Sequence, residues 1–126
     1  MADERLQTCT KLYLTRIGIS RIQTVGPTAI KFLNSDKLGN QYENDLFVGS
    51  YNLGTIFHFD LKDNRSELEL HDALKDKIAD SNDELKDVIF AEELGGVTDI
   101  DEGPDGNVYI LSNYLDKASI FKISAR

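Results

Sequence analysis

Cysteine is almost missing from this 126-residue chain. Cys9 stands alone, which excludes an intrachain disulfide and a cysteine-based metal cage and leaves the redox compartment open. No run of ~18 apolar residues suits a bilayer span. Met1–Thr10 lacks the apolar stretch of a secretory signal, so the expectation is a cytoplasmic chain unless a targeting segment lies outside this sequence. Positive charge is the minority sign: 14 Lys and Arg stand against 22 Asp and Glu, a formal net charge of −8. Nucleic acid and anionic membrane both need a positive surface, so neither is expected as a partner. The two histidines, His58 and His71, fall in different elements without zinc spacing. Neither a Ser/His/Asp set nor a P-loop nor a dinucleotide fingerprint appears. A hydrophobic content of 40% with 9% aromatics still argues for a folded core.

What the chain does contain is a pattern stated twice. Residues 27–59 run Pro-Thr-Ala-Ile-Lys-Phe, then Asn-Asp-Leu-Phe-Val-Gly-Ser-Tyr, then Gly-Thr-Ile-Phe-His-Phe. Residues 97–123 run Val-Thr-Asp-Ile-Asp-Glu, then Gly-Asn-Val-Tyr-Ile-Leu-Ser-Asn-Tyr, then Ala-Ser-Ile-Phe-Lys-Ile. Thr28 matches Thr98, Ile30 matches Ile100, Phe47 matches Tyr109, and Ile56-Phe57 matches Ile120-Phe121. Each copy reads as three short strands joined by turns, the signature of a β-propeller blade. The expected fold is all-β: two propeller blades with a short helical insert.

The organisation follows from the turn signals. Residues 1–25 hold candidate strands at Lys11–Arg16 and Ile19–Val25, either of which could close a blade. Gly26-Pro27 opens the first blade, 26–70, whose fourth strand is expected at Ser66–Leu70. Residues 71–94 form a charged linker. Within it, Ser81-Asn82-Asp83-Glu84 matches a capping box, and Leu85, Val88 and Ile89 at i, i+3, i+4 predict a short helix near 82–88. Gly95-Gly96 opens the second blade, 95–126, where Asp105-Gly106 supplies a tight hairpin. That blade has no fourth strand of its own. Two blades leave apolar flanks, and six blades could be reached by a homotrimer with cyclic symmetry.

Four segments carry a resemblance. Gly26-Pro27-Thr28-Ala29-Ile30-Lys31-Phe32-Leu33, Asn44-Asp45-Leu46-Phe47-Val48-Gly49, Gly96-Val97-Thr98-Asp99-Ile100 and Gly103-Pro104-Asp105-Gly106-Asn107-Val108-Tyr109-Ile110-Leu111 resemble the closing blades of the soluble quinoprotein sugar dehydrogenases, the glucose/sorbosone dehydrogenase family. The resemblance spans 26–123. It implies a six-bladed propeller carrying pyrroloquinoline quinone (PQQ) and calcium, an aldose substrate, and a histidine base in an earlier blade. The family is often extracytoplasmic. The chain departs from the pattern where the family presents cations to the quinone. Ser50-Tyr51-Asn52-Leu53 has no lysine, and Gly95-Gly96-Val97-Thr98 has no arginine. A tri-anionic cofactor needs such partners, so catalysis by this chain alone is not expected.

Candidate site residues come from the strand ends and the acidic cluster. Tyr51, Asn52, Asn113 and Tyr114 sit at equivalent strand ends, where a closed propeller has its axial channel, and their chemistry suits a sugar ligand. The plain alternative is that they only finish the strands. Among Asp99, Asp101, Glu102 and Asp105, the spacing fails the EF-hand pattern, and Asp99 is the best single metal candidate. His58, between Phe57 and Phe59, is expected to point outward from the blade in a structural role. The functional readings are an enzyme-derived piece of a sugar dehydrogenase and a non-catalytic binding or scaffold propeller assembled with copies of itself.

Overall fold

The computed structural model describes residues 25–126 apart from 64, 77, 78 and 80. The expected strand at Lys11–Arg16, and all of the one at Ile19–Val25 except its last residue, lie outside the described residues. The described chain is mostly β, arranged as two antiparallel sheets. The first has four strands in sequence order: β1 (Pro27–Phe32), β2 (Leu46–Ser50), β3 (Ile56–Phe59) and β4 (Ile89–Ala91). The second is β5 (Gly96–Glu102), β6 (Val108–Tyr114) and β7 (Lys117–Ile123).

The two copies of the sequence pattern fold alike. Each opens with a register irregularity at the matched threonine, between Pro27 and Ala29 in β1 and between Val97 and Asp99 in β5. A bulge at one fixed place in both copies bends the first strand of each sheet in the same way. The matched rungs follow: Lys31, Phe47 and His58 align across the first sheet, and Asp101, Tyr109 and Lys122 across the second. The Asp105-Gly106 turn forms as expected, with Gly106 N–H donating to the Gly103 carbonyl at 2.9 Å and Gly106 at φ +79°.

The fourth strand differs from expectation. Ser66–Leu70 contributes only a single bridge, Leu61 to Leu68. The sheet is instead completed by β4, which pairs with β3 through Ile56–Ala91 and Phe57–Ile89. The first sheet therefore extends to Ala91, and residues 60–88 are an insert between its third and fourth strands. Within the insert lies the predicted helix, α1 (Asn82–Lys86), with the Ser81 side chain accepting from Glu84 N–H at 3.4 Å. Among the described residues, no helix is long and apolar enough to cross a membrane.

Strand alternation divides the first sheet into two faces. Leu46, Val48, Phe57 and Phe59 share one face with Val25, and the insert covers them with Leu61, Leu68, Leu74, Ala79, Leu85 and Val88. Phe47 and Ile56 share the other face and pack on Val97, Ile100, Val108 and Ile110 of the second sheet. Full burial of side chains of this size is worth about 1.5–3 kcal/mol each, so the contact between sheets is a principal source of stability.

The sheets approach most closely at Gly49. A Cβ on that residue would stand 2.5 Å from Val97 Cγ1 and 3.2 Å from Ala29 Cβ. Val97 is β-branched and fully buried, so it cannot swing aside. Gly49→Ala is expected to destabilise the protein by about 1–3 kcal/mol through overpacking, read as a lowered urea midpoint with an unchanged m-value.

Candidate functional site

The seam between the sheets is fastened along its edge by polar groups from both repeats. Thr28 Oγ1 donates to the Val97 carbonyl, and Leu94 N–H donates to the Gly54 carbonyl at 2.9 Å. Lys31 Nζ meets Asp101 Oδ1 at 2.7 Å. Glu102 Oε1 accepts from the backbone N–H groups of Asn34 and Ser35 at 2.5 and 2.9 Å. The acidic cluster singled out in the sequence is thus largely spent on structure. Asp105 accepts from Asn107 N–H at 3.1 Å and Tyr109 Oη at 2.9 Å, with Lys122 Nζ 2.9 Å away. Asp99 is exposed, and its carboxylate accepts from Ile100 N–H at 2.9 Å. Among the described residues, Asp99 belongs to no group of three candidate metal ligands.

At one end of the seam the sequence-derived ligand residues come partly together. Asn113 Nδ2 donates to Tyr51 Oη at 3.0 Å, joining equivalent strand ends from the two sheets. The Tyr51 ring lies over Gly96, where a Cβ would stand 2.5 Å from the ring. Tyr114 turns edge-on to Phe121, with ring centroids 5.8 Å apart, and Asn52 packs its amide against Gly26. Both tyrosines keep an exposed surface. The end therefore joins Tyr51 to Asn113 in a small aromatic and amide platform, while Asn52 and Tyr114 make separate contacts.

Beneath this platform lie two matched serines. Ser50 Oγ donates to the Val25 carbonyl and accepts from Leu53 N–H at 3.1 Å. Ser112, its counterpart, is equally buried, but among the described residues its Oγ has no hydrogen-bond partner.

A second cluster was not anticipated. His58 Nε2 stands 2.9 Å from Asp45 Oδ2 and 3.4 Å from Asp60 Oδ1. The imidazole does not point outward: it lies on the face turned toward the second sheet, against Phe47 and Tyr42 at 4.9 and 5.0 Å between centroids. Its side chain is 19% exposed. The reason is register. Phe47 pairs directly with His58, so the two share a face, and Phe47 belongs to the core between the sheets. Asp45 is two residues before Phe47 and Asp60 two after His58, so period-2 alternation aims both acids to the same side. That spacing was the available signal, and it needed the register to be read. Asp45 is held from behind by Leu61 N–H, which donates to Oδ1 at 3.1 Å. Burial raises the Asp60 pKa, the His58 imidazole draws it back, and the Asp45 carboxylate raises it again.

Two predictions follow from these contacts. Ser50→Ala should cost about 1–3 kcal/mol, because it strands the Val25 carbonyl and Leu53 N–H, whereas Ser112→Ala should be neutral or stabilising because it removes an unpaired buried hydroxyl; equilibrium unfolding of the two variants checks the contrast. The second concerns acid. The Lys31 ammonium holds Asp101 below the ordinary carboxylate pKa. The Asn107 side chain and then Lys122 do the same for Asp105. The unfolded chain therefore binds more protons than the folded one in acid. The stabilisation is complete above the unfolded value of about 3.9 and is lost as pH falls through the lowered folded values. Asp101→Asn and Asp105→Asn should each flatten the acid limb of a stability–pH profile.

Comparison of the chain with protein-family models, with curated proteins and with solved structures finds no match.

Proposed function

We propose that the chain is a non-catalytic binding and scaffold module, made of two propeller-type blades, that assembles head to tail with copies of itself. The observation that carries this reading is a contrast between matched residues. Ile56 is 1% exposed because the second sheet covers it, whereas Ile120, its counterpart on β7, is 72% exposed. Leu111, the counterpart of Gly49 and the cross-strand partner of Ile120, is exposed beside it. The face by which the first sheet takes up its neighbour is thus left bare on the second, where Leu111 and Ile120 form an apolar pair beside Asp99 and the Tyr109–Lys122 rung.

The opposite end of the stack offers the complementary surface. Ile100 of the second sheet is buried against the first, while its counterpart Ile30 is 62% exposed, with Phe32 exposed next to it. The insert covers the remainder of that face. Contact between Leu111 and Ile120 of one copy and Ile30 and Phe32 of the next is heterologous, and such contacts close into rings when the rotation permits. Three copies supply the six blades of a closed propeller. In this reading the Tyr51–Asn113 platforms gather at one end of the ring and offer stacking and amide hydrogen bonds to a sugar. Descent from the quinoprotein sugar dehydrogenases belongs to the proposal and rests on the four quoted segments; Ser50–Leu53 and Gly95–Thr98 supply no cation for a quinone carboxylate.

The test is solution mass by size-exclusion chromatography with light scattering. The wild type should run near three times the chain mass of 14.1 kDa. Ile30→Asp and Ile120→Asp should each give single chains, and an equimolar mixture of the two should give a two-chain species, since only one pair of intact faces remains. A wild type that stays at one chain mass at micromolar concentration overturns the reading.

A further inference from the structure

We propose that Asp45, His58 and Asp60 form a binding site for a divalent transition metal of the zinc type, independent of the assembly reading. One ligand atom from each of the three residues lies within 4.8 Å of the other two, and Asp45 Oδ2 and Asp60 Oδ1 both face His58 Nε2. Zinc binds nitrogen and oxygen ligands at about 2.0–2.2 Å in tetrahedral geometry, which separates neighbouring ligand atoms by roughly 3.3–3.5 Å. The observed separations from Nε2, 2.9 and 3.4 Å, are within a few tenths of an ångström of that spacing. A small opening of the Asp45 contact would admit the ion without moving the strands.

The surroundings are those of a supported ligand set rather than a chance surface group. Asp45 is almost fully buried, and Leu61 N–H fixes the carboxylate oxygen that does not face the site. Such outer hydrogen bonds orient metal ligands. The His58 backbone is tied by its N–H to the Val88 carbonyl at 2.8 Å. Tyr42 and Phe47 wall the imidazole and keep the dielectric low. Asp60 is half exposed and gives the ion an entry path.

The second sheet shows what the purely structural version of this position looks like. There the matched residue is Lys122, and it pairs with one loop carboxylate, Asp105. In the first sheet two carboxylates converge on one imidazole, and among the described residues no lysine or arginine forms an ion pair with either acid. Two carboxylates converge in a partly desolvated site whose basic neighbours are histidines, His58 and, acting on Asp60, His71, an arrangement a divalent cation would balance. The donor set also selects among cations. An imidazole with two carboxylates suits zinc, manganese, iron or cobalt, whereas calcium takes six to eight oxygen ligands. Three protein ligands leave a fourth position open.

The experiment is calorimetric titration of zinc chloride into the untagged full chain after treatment with a chelator. The expected result is one equivalent of zinc per chain, with Asp60→Asn and His58→Gln each weakening binding at least about tenfold. Loading with cobalt should give the visible absorption of a tetrahedral site. Asp60 is half exposed, so the Asn variant keeps the fold and decides the matter even if the histidine variant unfolds. Absence of zinc binding overturns the proposal, as does equal affinity in wild type and Asp60→Asn. Calcium binding as tight as zinc binding overturns the assignment of a nitrogen ligand.

Discussion

Everything else in this molecule depends on how closely two β-sheets can meet at Gly49. With no side chain there, Val97 of the second sheet sits almost on the backbone of the first, and that approach brings Phe47 and Ile56 onto Ile100, Val108 and Ile110. The apolar seam so formed is short, because each sheet has only a few strands of four to seven residues across it. Its polar margin completes it. Lys31 reaches Asp101, the backbone at Asn34 and Ser35 is captured by Glu102, and Thr28 is tied to Val97. These contacts join residues nearly seventy positions apart, so neither sheet is expected to hold its inner face dry without the other.

The repeat sets the direction of stacking. Matched residues point the same way in both sheets, which is why Ile30 and Ile100, or Ile56 and Ile120, have opposite exposures. One member of each pair has a neighbouring sheet and the other has water. The chain treats its two free faces differently. The insert 60–88 folds over part of the first sheet's outer face with leucines and α1 and leaves Ile30 and Phe32 exposed beside it. The second sheet has no such cover among the described residues.

Much of this was legible in the sequence, and the parts that were not share a cause. The two copies, their strand order, the Asp105-Gly106 hairpin and the Ser81 cap all follow from local signals or from the equivalence of repeats; Tyr51 and Asn113 stand out as matched strand ends, but their contact does not. The fourth strand is misplaced because Ser66–Leu70 alternates like a strand but lies within the insert, where it makes one bridge and packs Leu68 on the first sheet, while Ile89–Ala91 is three residues long and reaches β3 only after about thirty intervening residues. His58 was assigned to the wrong face for a related reason. Flanking phenylalanines cannot say which face of a strand is dry when both are covered. That requires the pairing of Phe47 with His58, and with it the convergence of Asp45 and Asp60. Long-range register, rather than propensity, is what a single sequence conceals here.

The central claim is that the two sheets are one cooperative unit joined at Gly49 and Val97. Native-state hydrogen exchange tests it most directly, by comparing the opening free energies of amides in β2 and β6 in the wild type and in Gly49→Ala. The account predicts that the two strands share the highest protection and that the substitution lowers both by the same amount. A second sheet whose protection is lower than that of the first, and unaffected by the substitution, would show that the sheets open separately and would contradict it.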